Sequence, residues 1–123
     1  MEPSEFTNLQ RQALLDLALV AMYSDAHLAE VEDERVKGLL TRLGLDSETD
    51  RQLELNAAIA RVRRESQTAD SRHRLIVRLS HQFTTPEEQR QVCTTLQDLL
   101  ESDRNVAPAE NQFLAEVRQA MGL

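Results

Sequence analysis

The chain has 123 residues, 41% hydrophobic and 28% charged, an ordinary composition for one globular domain with a single core. Three Gly, three Pro and 3% aromatic residues leave little for turn-rich β architecture, so the composition favours an all-α fold with a core of Leu, Ala, Val and Met. The net charge of −7 argues against general nucleic-acid binding. A single cysteine, Cys93, excludes an internal disulfide or a cysteine metal cluster, and we expect it to be a buried, inert thiol.

Three helices are predicted in the first half of the chain. A capping-box pattern, TNLQ, starts a first helix that runs to about Tyr23. Its apolar positions at helical spacing include Leu14, Leu17, Ala18, Ala21 and Met22. A second helix begins near Ala29 and ends at Gly44, a residue type that favours helix C-termini. Asp46 or Ser47 caps a third helix.

Three more helices are predicted in the second half. After the polar segment SQTAD, Asp70 or Ser71 caps a short fourth helix. The segment TTPEE offers a Thr cap, Pro at the first helical position and Glu at the third, and it starts a fifth helix that runs to about Glu101. A sixth helix begins at Pro108 and stops at Gly122.

An internal repeat relates the two ends of the chain. A shift of 78 places residues 24–45 on 102–123 without a gap and gives six identities in 22 positions, where chance gives roughly one. The apolar positions correspond as well. We therefore predict an all-α, single-domain bundle of about six to seven helices over residues 1–123, with two pseudo-symmetric helical hairpins at about 7–45 and 85–123.

Each hairpin tip carries a pair of acids, Asp25 with Glu32 and Asp103 with Glu110. In each pair the Asp prolongs the apolar stripe at the end of one helix, and the Glu does so at the start of the next. The two carboxylates of a tip are therefore expected to converge. Their repulsion must be offset by loop N–H groups, an Arg or a bound cation.

Two interpretations of these acids stay open. In the first, the Asp accepts loop N–H bonds and the Glu caps the next helix, so the acids are structural staples. In the second, they ligate Ca²⁺ or Mg²⁺. Binding is expected to be weaker at the second tip, because Arg104 adjoins Asp103 and would compete with the cation. An EF-hand loop counted from Asp25 is excluded, since Glu30 stands in place of its Gly and Val36 in place of its final Glu.

The segments YSDAHLAEVEDERVKGLLTRLG and ESDRNVAPAENQFLAEVRQAMG resemble the doubled motif of the TerB-like family, the tellurite-resistance helical proteins. The resemblance covers essentially the whole domain. It implies an all-helical bundle without known catalytic activity, a role in tellurite or stress resistance, and divalent-cation binding by the motif acids. Those acids correspond to Asp25, Glu32, Asp103 and Glu110.

Residues 61–78 form a basic segment with six Arg, one Glu and one Asp, a net charge of about +4. The whole chain has a net charge of −7. A basic strip on an acidic body suits an acidic partner, an anion or self-association that weakens with salt. Another interpretation is a solvated face with pairs at helical spacing. The partner-binding candidates are Arg61, Arg64, Arg72, Arg74 and Arg78.

The sequence favours a non-catalytic module. His27, His73 and His81 are scattered, and the chain has no Gly-rich phosphate loop and no nucleophile elbow. The first residues, MEPSEF, are acidic, and the longest apolar stretch, 13–23, is interrupted by Asp16. We therefore expect a cytoplasmic protein without a membrane span, either a cation-linked TerB-like module or a purely structural protein-interaction module.

Overall fold

Six α-helices make up most of residues 2–22, 34–101 and 108–123, which are the residues that a computed structural model of the chain describes. No strand occurs within these ranges, so the predicted all-α class and the bundle of about six helices are confirmed. A short 3-10 turn at Pro3–Glu5 precedes the helices α1 (Asn8–Met22), α2 (Glu34–Arg42), α3 (Glu48–Glu65), α4 (Ala69–Ser80), α5 (Pro86–Glu101) and α6 (Pro108–Ala120).

The first helix, α1, lies at the centre of the bundle and contacts all five other helices. Its predicted apolar positions Leu14, Leu17 and Ala18 are fully buried. Leu15 and Leu19, which lie outside that predicted stripe, are buried just as completely. A helix surrounded by neighbours buries side chains in all directions, and a one-sided stripe therefore underestimated its burial.

The first helices of the two hairpins begin with the same hydrogen bonds. The Thr7 hydroxyl accepts the N–H of Gln10 at 3.2 Å, and the Gln10 side chain accepts the N–H of Thr7 at 3.1 Å. The Thr85 hydroxyl accepts the N–H of Glu88 at 3.1 Å, and the Glu88 carboxylate accepts the N–H of Thr85 at 3.2 Å. Both predicted helix starts are therefore confirmed as capping boxes.

The second helices of the two hairpins also end alike. Gly44 and Gly122 have positive φ angles of 94° and 78°, a conformation that Gly adopts without steric cost. Leu45 donates its N–H to the carbonyl of Leu40 at 3.2 Å, and the last residue donates to the carbonyl of Arg118 at 2.9 Å. These are Schellman endings at corresponding positions of the repeat. The twofold relation between whole hairpins stays a prediction.

The caps of the two middle helices were only partly predicted. Ser47, one of the two proposed caps of α3, accepts the N–H of Asp50 at 3.0 Å. The prediction for α4 was wrong: Thr68 is the cap, and Ser71 is the third helical residue of its capping box, with Asp70 between them. A run of several residues that can all act as caps leaves the helix start ambiguous in sequence.

Cys93 is half-buried rather than fully buried. Its Sγ lies 3.9 Å from the Sδ of Met121, in the turn that follows α6. Burial raises the pKa of the Cys93 thiol, which favours the neutral form over the reactive thiolate.

Candidate functional site

Only one of the four predicted metal-ligating acids lies in the described part of the chain. Asp25, Glu32 and Asp103 lie outside it. Glu110 lies in the first turn of α6 and is partly exposed. One of its carboxylate oxygens, Oε2, is nevertheless buried and has no hydrogen-bond partner among the described residues.

An unpartnered buried carboxylate oxygen is costly, because folding removes its water without supplying a donor. The first turn of a helix offsets part of this cost through its exposed N–H groups and the helix dipole. A hard cation would offset more of it, since carboxylate oxygens are the ligands that Ca²⁺ and Mg²⁺ prefer. Within residues 2–22, 34–101 and 108–123, no three His, Cys, Asp or Glu side chains are grouped as metal ligands.

The two hairpins meet at both ends of their helices. Gln10 donates from Nε2 to Oε2 of Glu88 at 3.0 Å, and these two residues correspond in the repeat because they are 78 positions apart. At the other end, Nη1 of Arg35 in the first turn of α2 lies 3.5 Å from the carbonyl oxygen of Leu99 in the last turn of α5. The start of α2 and the end of α5 therefore lie side by side.

A buried ion pair joins α1 to α3. Arg61 donates from Nε and Nη2 to the two carboxylate oxygens of Asp16, both at 2.9 Å. The Asp16 side chain is 5% exposed and that of Arg61 is 26% exposed. Burial raises the pKa of the Asp16 carboxyl, and the hydrogen bonds from Arg61 oppose this shift. Bidentate geometry of this kind fixes both side chains.

The sequence did not predict this pair, although Asp16 stands out as a lone charge inside an apolar stretch. Its partner is 45 residues away, and nothing local to either residue identifies the other. Arg61 was predicted to bind a partner, but its guanidinium is occupied by Asp16 and cannot present a full set of donors at the surface.

A second ion pair joins α3 to α4 beside a small cavity. Nη2 of Arg78 donates to the carboxylate of Glu65. This hydrogen bond is the main reason that the pKa of Glu65 is lowered. The two residues line a cavity of about 430 Å³ together with Ser71, Arg74 and Leu75.

Two of the remaining predicted arginines are exposed, and the third is half-buried on another side of its helix. Arg64 and Arg74 are exposed, and neither has a hydrogen-bond or ion-pair partner among the described residues. Arg72 is half-buried and lies two positions before Arg74, a spacing that places residues on different sides of a helix. Arg63 is exposed and likewise has no partner in the described ranges. It is not one of the predicted partner-binding residues.

Two histidines connect α4 and the turn that follows it to α6. Nδ1 of His73 lies 3.1 Å from the Glu116 carboxylate, and Nε2 of His81 lies 3.1 Å from the carbonyl of Ala120. His27 lies outside the described residues. These contacts give His73 and His81 structural partners in helix packing.

A groove of about 630 Å³ separates α2 from α3. Its floor includes Val36, Leu40 and Leu55, which are buried, and its rim is charged. None of its described lining residues is a His, Cys or Ser.

The described helices thus define an all-α bundle with matched hairpin ends, an acid at the start of α6 and arginines along α3 and α4. No described helix has the length and apolar character needed to cross a bilayer. The family model for TerB, described as tellurite resistance protein TerB, matches residues 11–123. The chain belongs to this family. No curated protein and no solved structure matches the chain.

Proposed function

We propose that this chain is a non-catalytic binding module of the TerB family that holds a divalent cation, Ca²⁺ or Mg²⁺, at its hairpin tips. Membership of the family supports the module itself. The cation is supported by one observation in particular, the buried Oε2 of Glu110 with no hydrogen-bond partner among the described residues. A role in tellurite or stress resistance and a cytoplasmic location belong to the same proposal.

The second tip is proposed to combine Glu110 with Asp103, and the first tip to combine Asp25 with Glu32. The close approach of Arg35 to the carbonyl of Leu99 supports placing both sets of acids at one end of the bundle.

The alternative from the sequence is a purely structural role, in which the motif acids are helix staples. A staple at Glu110, the third residue of α6, would direct its carboxylate back to the N–H of residue 107, which lies outside the described part of the chain. The cation proposal rests on the burial of Oε2 without a described donor. No step of a reaction is proposed, because the sequence has no Gly-rich phosphate loop and no nucleophile elbow.

Thermal unfolding in the presence of Ca²⁺ or Mg²⁺ tests the cation directly. A ligand at ten times its Kd stabilises the folded chain by about 1.4 kcal/mol, which for a domain of this size raises Tm by roughly 5 °C. We expect such a rise for the native chain and a smaller one for Glu110→Gln. Glu48→Gln is the matched control, since Glu48 is an exposed acid in the first turn of α3.

We expect the cation to raise Tm equally for the native chain and Glu48→Gln, and to raise it less for Glu110→Gln. The absence of any rise for the native chain at about 10 mM of either cation, far above the affinity of ordinary sensor sites, would rule the cation out. An equal rise for Glu110→Gln would remove Glu110 from the site.

A further inference from the structure

Arginines on α3 and α4 fall into two groups. Arg61 and Arg78 are each paired with a carboxylate of the chain. Arg64 and Arg74 are exposed and, like Arg63, have no partner within residues 2–22, 34–101 and 108–123. The chain has 21 acidic and 14 basic residues, so acids are abundant, yet the fold leaves these guanidinium groups unpaired.

The unpaired Arg74 belongs to a continuous face of α4. Ser71, Arg74, Leu75 and Arg78 follow the spacing that aligns side chains on one side of a helix. All four line the cavity of about 430 Å³, with Glu65 of α3 on its opposite wall. The buried Leu75 supplies an apolar floor, and the arginines supply donors at the rim.

Arg64 of α3 lies beside this face, next to Glu65, and is not one of the residues that line the cavity. It precedes Glu65 in sequence, and its charge contributes to lowering the pKa of the Glu65 carboxyl. It also lies three residues after Arg61, on the same side of the helix. Together these residues form what we call the arginine surface: Arg64, Ser71, Arg74, Leu75 and Arg78.

The arginine surface keeps an excess of positive charge. Arg61, Arg64, Arg74 and Arg78 lie near three carboxylates, those of Asp16, Glu54 and Glu65, which leaves about one positive charge on a chain of net −7. Such a local excess attracts a compact group of negative charges within the Debye length, about 8–10 Å in ordinary buffers.

A short acidic peptide fits this surface better than a nucleic acid does. An extended polyanion would run beyond the arginine surface onto the acidic remainder of the chain and be repelled there. Stacking of bases needs exposed aromatic rings. The aromatic residues Phe6, Phe83 and Phe113 are buried, and Tyr23 lies outside the described residues.

The arginine surface is also held in place before any partner arrives. The buried Asp16–Arg61 pair fixes α3 against α1, and the Glu65–Arg78 pair fixes α4 against α3. Only Nη2 of Arg78 is engaged by Glu65, so its other N–H groups stay available. Donors that are already ordered lose less entropy when they bind.

We propose that the arginine surface docks an acidic, Asp- and Glu-rich segment of a partner protein. Carboxylates of the segment pair with Arg64 and Arg74 and with the free edge of Arg78, and one acidic side chain enters the cavity beside Ser71. This interaction is separate from the cation site, because it uses α3 and α4 and none of the motif acids.

A labelled peptide of about eight Glu residues is the probe, with a Gln peptide of equal length as its neutral control, and fluorescence anisotropy is the readout. We expect binding at about 20 mM salt that weakens strongly at about 300 mM. Arg74→Gln and Arg64→Gln should each weaken binding about fivefold, the effect of one partly solvated charge pair. Arg42→Gln is the matched control, an exposed arginine on α2 without a partner in the described ranges.

Three results would overturn the proposal. The first is failure of the Glu peptide to bind the native chain at low salt. The second is an equal loss of affinity for Arg42→Gln and Arg74→Gln, which would mean that net charge alone is sensed. The third is a salt-sensitive dimer in sedimentation that Arg74→Gln dissolves, because the partner would then be a second copy of the chain. Circular dichroism identical to that of the native chain is expected for these variants, since the replaced side chains are exposed.

Discussion

Replacing Arg61 by Met isolates the buried carboxylate of Asp16. In the native chain Asp16 is 5% exposed and receives two hydrogen bonds of 2.9 Å from Arg61. Breaking a buried pair by removing one partner costs about 3–5 kcal/mol. The reverse change, Asp16→Asn, should cost less, about 2 kcal/mol, because the Arg61 side chain it leaves behind is already 26% exposed and water can reach it.

The cost of Arg61→Met should depend on pH. Burial raises the pKa of Asp16 above its usual 3.8, and Arg61 opposes this rise, so the variant should have a still higher pKa. A carboxyl whose pKa is raised by folding stabilises the fold fully below the unfolded-state pKa, and this contribution is lost as pH rises through the folded-state value. The gap in stability between variant and native chain should therefore be small near pH 4 and large at about pH 7.

Urea unfolding followed by far-UV circular dichroism at both pH values measures this gap. Arg42→Met serves as the control for loss of an exposed arginine and should stay within about 0.5 kcal/mol of the native chain. If Arg61→Met proves too unstable at neutral pH, Asp16→Leu combined with Arg61→Met should recover most of the loss, since a packed apolar pair can replace a buried ion pair. A cost below about 1 kcal/mol at pH 7, or an equal cost at both pH values, would refute this account of the pair.

Two further sets of substitutions follow from the backbone and the repeat. Gly38 is exposed inside α2, with open space around an added Cβ, so Gly38→Ala should stabilise the chain by about 0.5–1 kcal/mol. Gly44 has a φ of 94°, so Gly44→Ala should destabilise the chain by about 1–2 kcal/mol. Thermal melts should therefore show a higher Tm for Gly38→Ala and a lower Tm for Gly44→Ala than for the native chain. At the hairpin tips, calorimetric titration with Ca²⁺ should show a greater loss of affinity for Asp25→Asn than for Asp103→Asn, because a neighbouring arginine already weakens the second tip, and the reverse order would contradict the ranking.

Local features of this fold could be predicted from the sequence. The capping boxes at Thr7 and Thr85 were predictable because their hydrogen bonds span only three residues. The positive φ of Gly44 agrees with a helix end placed at that glycine. The cap of α4 was placed wrongly at Asp70 or Ser71, since these residues and Thr68 can all act as caps and residue type alone does not select Thr68.

Contacts between distant residues could not be predicted in the same way. The bond between Arg61 and Asp16 spans 45 residues, and the basic segment gave no sign that one of its arginines turns inward. The complete burial of Leu15 and Leu19 depends on how many helices surround α1, which a single amphipathic stripe does not encode. Such contacts divide the arginines into paired and unpaired groups, a distinction that net charge alone does not contain.

Amide chemical shifts recorded while Ca²⁺ or Mg²⁺ is titrated into the labelled chain test the proposed cation site most directly. We expect saturating shifts in the first turns of α2 and α6, around Glu34 and Glu110, with α3 and α4 unchanged. Shifts that never saturate, or that spread evenly along the acidic surface, would contradict a cation held at the hairpin tips.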